Sequence, residues 1–279
     1  MGAMLGPWRR LDQLMVALPR LRDPASRIST GRRCDDGPTM LAMLTSVTCQ
    51  KGDLAGNLSR HHRLVRAGAD EGCDLVLFPE MSLTGYCARA AVSLASPAVA
   101  ELAAATLDGP AVCFGLVERA GSGGPPYITQ LVAERGHIVG VHRKEHLGEG
   151  EDGDFRAGPG AGVVEVAGLA CSIAICAEIG TPPPYDQPAS VVLAPAAPGL
   201  YGERRRTDHD WRRGFSWWRG RVVRDAARLL RTGQVLALST QAGATDDEDF
   251  PGWAALVGPG GDVVTALPDW RQGHLVVPL

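Results

Sequence analysis

From Thr39 onward, apolar residues come in short runs that alternate with longer stretches of helical spacing. Residues 40–47 form a run that predicts a buried first strand, and residues 73–78 are almost continuously apolar, as in a strand covered on both faces. Strands are expected over 111–117, 127–133 and 138–142, the last two joined by a turn at Arg135-Gly136. Between these, Asn57 is expected to cap a helix reaching about residue 69, with Leu58, Val65 and Ala69 on one face. Ser96-Pro97 is an N-cap and first-turn pair that opens a second helix through residue 105.

The second half has a Gly-rich acidic loop over 147–162 and strands at 163–166, 169–175 and 190–193. A polar, irregular stretch over 196–214 precedes a long helix from about 215 to 231. Strands over 235–238, 254–257, 263–265 and 275–277 close the chain. Early helices alternate with strands, and later strands come as hairpins. That order predicts an α/β fold of two packed sheets flanked by helices rather than one doubly wound sheet. Gly158-Pro159-Gly160-Ala161-Gly162 and Gly258-Pro259-Gly260-Gly261 lack the strand-to-helix setting of a phosphate loop and are expected to be turns.

Composition changes the picture in three places. Residues 1–38 are rich in arginine (Arg9, Arg10, Arg20, Arg22, Arg27, Arg32, Arg33), and Asp12, Asp23, Asp35 and Asp36 argue against a targeting peptide. This segment is expected to be a flexible extension ahead of a domain over 39–279. The net charge of −3 gives no general attraction to nucleic acid, and no apolar run reaches the ~20 residues of a membrane span. The seven cysteines are scattered and mostly set in apolar runs, which is thiol usage in a reducing, cytoplasmic compartment. CxxC, HExxH and zinc-type His/Cys spacings do not occur, so no metal is expected. The Asn57-Leu58-Ser59 sequon falls in a helix and is read as a chance match.

Cys176 lies where the 169–175 strand runs out, a position from which a thiol can face a cleft beside free backbone N–H groups; a buried, inert cysteine fits the same position. Glu80 closes the strand ending in Phe78-Pro79, either desolvated as a general base or salt-bridged. Lys144 closes the 138–142 strand and could equally be a snorkelling lysine. Cys171 points into a core by alternation. His61-His62 is expected on the helix surface, and His146 as a loop brace. Cys87 and Arg89 are candidates for the cleft border. The stretch 201–221, with Arg204-Arg205-Arg206, Trp211, Trp217 and Trp218, reads either as a solvated basic segment over core tryptophans or as a pocket lid.

Taken jointly, the order Phe78-Pro79-Glu80 with Leu83-Thr84-Gly85-Tyr86, then Arg143-Lys144-Glu145-His146-Leu147, then Glu151 and Phe155, then Ile175-Cys176-Ala177-Glu178 resembles the nitrilase superfamily of carbon–nitrogen hydrolases. Gly52-Asp53 with Asn57-Leu58, Ala194-Pro195 and Phe250-Pro251-Gly252 agree with it. The resemblance implies a four-layer α-β-β-α sandwich and a Glu–Lys–Cys triad. Carried over, Glu80 is the general base, Cys176 the nucleophile, and Lys144 with the Ala177 backbone N–H the oxyanion stabiliser. Glu151 orients the lysine, and Tyr86 and Glu178 fall at the substrate pocket. The sequence departs from the usual pattern after the nucleophile, where Ala177 lacks a pocket-lining side chain and three prolines follow Thr181.

What the resemblance implies is a cofactor-free amidase acting on a small linear amide through an acyl-thioester. An N-carbamoyl-amine hydrolase, a nitrilase or a glutaminase-like ammonia donor stand behind it, and a catalytically silent binding protein is the reading from another class. The implied partners are a small-molecule amide or nitrile and a second copy of the chain, as dimer or higher homo-oligomer, with no nucleic acid and no membrane. A Ser-His-Asp hydrolase is disfavoured by the lack of a GxSxG elbow.

Overall fold

The computed structural model describes residues 39–121, 123–160, 162–201, 211–268 and 271–279. The arginine-rich 1–38 segment and Arg204-Arg205-Arg206 lie outside these. Two sheets meet at β1 (Leu41–Val47), which pairs in parallel with β2 (Leu75–Leu77) and antiparallel with β14 (Gly273–Pro278). Beyond β2 the first sheet continues through β3 (Ala111–Glu118), β4 (Tyr127–Glu134) and β5 (His137–Arg143). The second runs β6 (Val164–Val166), β7 (Leu169–Ile173), β8 (Val191–Ala196), β10 (Val235–Ala244), with β12 (Ala255–Val257) and β13 (Val263–Ala266) beyond. A short parallel contact, Ser46 with Thr240 and Val47 with Gln241, is the seam between them. The short β9 (Leu200–Tyr201) and β11 (Glu248–Pro251) extend the end of β10.

Alternation of side chains along the strands fills three apolar layers. Leu75 and Leu77 face inward with Leu44, Cys113 and Val132, meeting Cys171, Ile173, Val191 and Leu193 from the second sheet. Val76 faces out with Met43, Val112 and Phe114 against Val65 of α1 (Leu54–Asp70) and Val99 and Leu102 of α2 (Pro97–Ala104). On the far side Val192, Ala194, Leu236 and Leu238 pack on Val222 and Ala226 of α4 (Trp211–Leu229) and on Tyr185 of the short α3 (Pro183–Asp186). Three apolar layers between four structural ones make the expected α-β-β-α sandwich. Each fully buried Leu or Val contributes about 1.5–3 kcal/mol, so the inward and outward faces of the sheets are both strongly specified.

Local differences from the sequence reading have physical causes. The cap of α1 is Asp53, whose Oδ1 accepts the Gly56 N–H at 2.9 Å, four residues before the expected Asn57. Asn57 is buried instead: its Nδ2 donates to the carbonyls of Gln50 (2.8 Å) and Leu83 (3.1 Å), tying α1 to the turn after β2. His61, expected on the surface, is buried and stacked on Phe78 with ring centroids 4.1 Å apart. Its Nδ1 donates to the Asn57 carbonyl and its Nε2 meets Ser82 Oγ at 3.0 Å, and burial lowers its pKa to about 4, keeping it neutral. The strand expected at 169–175 ends at Ile173, because a 3₁₀ turn over Cys176–Gly180 takes over.

Gly115 of β3 lies against the turn that carries Glu80, where a Cβ would collide with the Met81 backbone nitrogen and stand 2.9 Å from the Pro79 carbonyl oxygen. Gly115→Ala is expected to lower unfolding stability by about 1–3 kcal/mol through overpacking against backbone, read as a lower urea midpoint with an unchanged slope.

Candidate active site

Strand ends from both sheets converge on one site. Glu80 lies in the turn following β2, Lys144 directly after β5, and Cys176 at the start of the 3₁₀ turn after β7. The Glu80 turn is anchored to the second sheet, since Gln241 Nε2 of β10 donates to the Glu80 carbonyl at 2.8 Å. Lys144 is fixed by backbone bonds on both sides, its N–H to Ile128 O and its carbonyl from Gly158 N, each 2.8 Å. Glu151 sits in a tight loop in which the Phe155 N–H bonds its carbonyl at 2.8 Å, and Phe155 is buried in the inner layer.

Lys144 Nζ lies 2.7 Å from Glu80 Oε1 and 2.9 Å from Glu151. Glu151 in turn accepts the Tyr86 hydroxyl proton at 2.6 Å and the Gly148 N–H at 2.5 Å. The side chains of Lys144 and Glu80 are fully buried and that of Glu151 is 7% exposed, so these ions interact with little water between them. Burial works against the charge on Lys144, but the carboxylates of Glu80 and Glu151 outweigh it and hold the ammonium well above its ordinary range. Glu80 is pushed up by burial and by Glu151, against the pull of Lys144. Its buried Oε2 has no hydrogen-bond partner, and the nearby Ala197 backbone N–H lowers the pKa only in part. Burial pushes the Cys176 thiol up to about 12, with Glu80 and Glu151 adding to the rise and Lys144 opposing it. The sulfur therefore rests as a thiol and needs a base to react.

Two non-glycine residues beside this chemistry have left-handed backbones, Cys176 at φ 46° and Met81, next to Glu80, at φ 49°. Such strain costs of order 1–3 kcal/mol per residue and persists only where surrounding structure enforces it. At Cys176 it turns the chain sharply from strand to 3₁₀ turn. Ala177 follows in the first turn of that segment, where an amide N–H has no intrahelical acceptor.

A cavity of about 1190 Å³ opens over Cys176, lined also by Tyr86, Glu151, Ala177, Ala197 and Trp218. Cys87, Arg89 and His146 border it, as does Trp217, which is 59% exposed. Trp218 packs edge-to-face on Trp253. The 201–221 stretch thus contributes Trp217, Trp218 and Arg221 of α4 to the cavity wall, while residues 202–210 lie outside those described. Cys171 is buried in the inner layer with its thiol pushed to about 12 by burial.

Glu178 is where the sequence reading needs correction. Expected at the pocket, it is 2% exposed and points away from the cavity toward His142 and the backbone of Ile175 and Glu145. The 3₁₀ turn rotates it behind Cys176, a change of direction that an alternating strand pattern does not foretell. Sequence reasoning also missed a wall of the cavity: Lys51 Nζ, after β1, bonds Asp247 at 2.9 Å and Glu248, the first residue of β11, at 2.8 Å. Among the described residues, no cluster of His, Cys, Asp and Glu could hold a metal ion, and no helix is long and apolar enough to cross a membrane.

Removing the cation from this buried trio leaves two carboxylates uncompensated. Lys144→Met is expected to cost about 3–5 kcal/mol in chemical denaturation. Glu80, already raised by burial, would then bind its proton still more tightly folded than unfolded, so the deficit is expected to shrink as pH is lowered and to grow as it is raised.

The sequence profile of the family "Carbon-nitrogen hydrolase" matches residues 43–279. A glutamine-dependent NAD(+) synthetase of Rhodobacter capsulatus is 30% identical over 240 residues, 82% of this chain, which spans only 41% of that protein's length. Among solved structures, a CN-hydrolase superfamily protein of Xanthomonas campestris superposes with a TM-score of 0.72 at 18% identity, covering 87% of this chain and 91% of that one. An amidase of Nesterenkonia sp. superposes with a TM-score of 0.68 at 26% identity, covering 86% and 90%. With its fold shared with these structures and the family profile matched from β1 to the last residue, this chain belongs to the carbon–nitrogen hydrolase family and is an enzyme of the nitrilase superfamily.

Proposed function

We propose that the protein is an amidase that hydrolyses a small linear amide by way of a Cys176 acyl-thioester. The observation that carries this reading is the buried Lys144 ammonium shared between Glu80 and Glu151 beside a thiol at the floor of an open cavity. Glu80 takes the thiol proton as Cys176 Sγ attacks the amide carbon. The oxygen, now anionic, is held by the Lys144 ammonium and the Ala177 N–H. Collapse breaks the C–N bond, and the leaving ammonia or amine receives its proton from Glu80. Water then enters, gives a proton to Glu80 and attacks the thioester, releasing the carboxylic acid and the thiol. Glu151 keeps Lys144 charged and aimed throughout, and Tyr86 fixes Glu151.

A glutaminase-like ammonia donor is the second reading. It is favoured by the likeness to a glutamine-dependent synthetase and by a cavity that, with Lys51, Asp247 and Glu248 on its wall, has charged groups beyond the reach of a minimal amide. The thioester route is supported by the likeness to the Nesterenkonia amidase, since in one mutant of that enzyme the acetamide moiety of fluoroacetamide is found covalently at the active-site cysteine.

Ammonia release from a panel of short amides, glutamine, carbamoyl amines and nitriles tests the proposal. Turnover is expected with a linear amide, with an acyl adduct on Cys176 by intact mass, and both are expected to vanish in Cys176→Ala; activity surviving that substitution would overturn it. Because only the deprotonated form of Glu80 accepts the thiol proton and its pKa is raised, kcat/KM is expected to climb with pH along an acid limb lying above the ordinary carboxylate range. Glu80→Gln is expected to cost about 10²–10⁴-fold in kcat and to abolish that limb.

A further inference from the structure

Glu178 lies two residues beyond Cys176, yet its carboxylate turns from the cavity and meets only hydrogen-bond donors. Its Oε1 accepts the N–H of Glu145 at 2.6 Å and, more loosely, that of His146 at 3.4 Å. Its Oε2 accepts the N–H of Ile175 at 2.8 Å and meets His142 Nε2 at 2.8 Å. Since a carboxylate can only accept, His142 Nε2 carries the proton in this contact, while the buried Nδ1 has no hydrogen-bond partner. The hydrogen bonds from His142 and the backbone outweigh burial and keep Glu178 ionised.

The four donors come from two segments that lie far apart in the chain and at the ends of strands in different sheets. His142, Glu145 and His146 flank Lys144; Ile175 immediately precedes Cys176. We infer that Glu178 is a positioning residue, an anionic clamp that fixes the Lys144 ammonium relative to the Cys176 sulfur and so governs the rate of acyl transfer rather than substrate affinity. This rests on the roles proposed above for Lys144 and Cys176. The donor set leaves no room for a neutral isostere: whichever way a glutamine amide is turned, its NH₂ faces N–H groups that need an acceptor. Aspartate is one methylene too short to reach both segments. Because Glu178 does not line the cavity, a substitution there leaves the cavity-lining side chains in place, while displacement of reacting groups by about 1 Å can cost about 100-fold in rate.

The test compares Glu178→Gln with His142→Gln and His142→Leu, reading kcat and KM on the best amide of the panel and, independently of any substrate, the rate and pH profile of Cys176 alkylation by iodoacetamide. Glu178→Gln is expected to lower kcat by about 10- to 100-fold with KM little changed, and to slow alkylation and displace its pH profile. His142→Gln, which keeps an N–H donor toward Glu178, is expected to stay close to wild type where His142→Leu falls. A folded Glu178→Gln protein with wild-type kcat and alkylation would overturn the clamp, and so would a raised KM at unchanged kcat, which would make Glu178 a substrate contact. Should Glu178→Gln fail to fold, the histidine pair decides: equal losses in His142→Gln and His142→Leu at unchanged melting temperature would refute it. If wild type turns over no amide, the proposed hydrolysis fails, and the alkylation comparison still reads the clamp.

Discussion

The Lys144 ammonium, closed in between two carboxylates, is the interaction on which the rest of the site depends. Taking three ions out of water is costly, and their attraction offsets that cost only when distances are short and the remaining lone pairs are satisfied. Here the contacts are 2.7 and 2.9 Å, and Glu151 is further held by Tyr86 and Gly148. The arrangement also sorts the groups by chemistry. Lys144, flanked by negative charge, holds its proton and stays a cation. Glu80, with one oxygen bound to that ammonium and the other lacking a full partner, is the carboxylate whose raised pKa suits proton exchange.

The trio is fixed by packing between sheets rather than by any single loop. Glu80 and Lys144 come from the first sheet, Cys176 and Ala197 from the second, so their separation is set by how the inner faces pack and by the short seam at Ser46–Thr240 and Val47–Gln241. Two polar ties cross the same gap: Gln241 holds the Glu80 backbone, and Glu178 joins the Lys144 segment to the Cys176 turn. With the sheets pinned at both places, the left-handed conformations of Met81 and Cys176 can be tolerated next to the reacting atoms.

The strands were legible because their apolar runs reflect burial on both faces, and Glu80, Lys144 and Cys176 could be singled out because each closes such a run. What the sequence concealed was direction. Glu178 is an acid near the nucleophile in any linear reading, and only the 3₁₀ turn shows that it faces backward. His61 reads as a polar helix residue beside His62, but the heptad-like spacing Asn57, His61, Val65, Gly68 is the buried face of α1, a polar stripe that hydrophobic periodicity does not register. Asp53 displaced Asn57 as cap because Asn57 is needed for the Gln50 and Leu83 carbonyls. Lys51 and the Asp247–Glu248 pair at the start of β11 lie far apart in the chain and meet only through tertiary structure.

On the proposed reading, a single negative charge moves through this site while the others stay in place. It begins on Glu80, passes to the sulfur as the thiol is deprotonated, moves to the substrate oxygen in the tetrahedral intermediate, and returns to Glu80 as the leaving amine takes its proton; hydrolysis of the thioester, with water in place of the thiol, repeats the circuit. Lys144 and Glu151 keep their charges at each stage, so the net charge of the enclosed region is constant. A buried site would be penalised for any step that created or destroyed charge, because the surrounding apolar layer cannot reorganise to solvate it. Confining the change to a transfer within the field of one fixed ammonium removes that penalty, with the Ala197 amide already set toward the sulfur. The same logic explains why the thiol rests protonated: a permanent thiolate here would add a third anion beside one cation, and the raised thiol pKa is what keeps the resting site in balance.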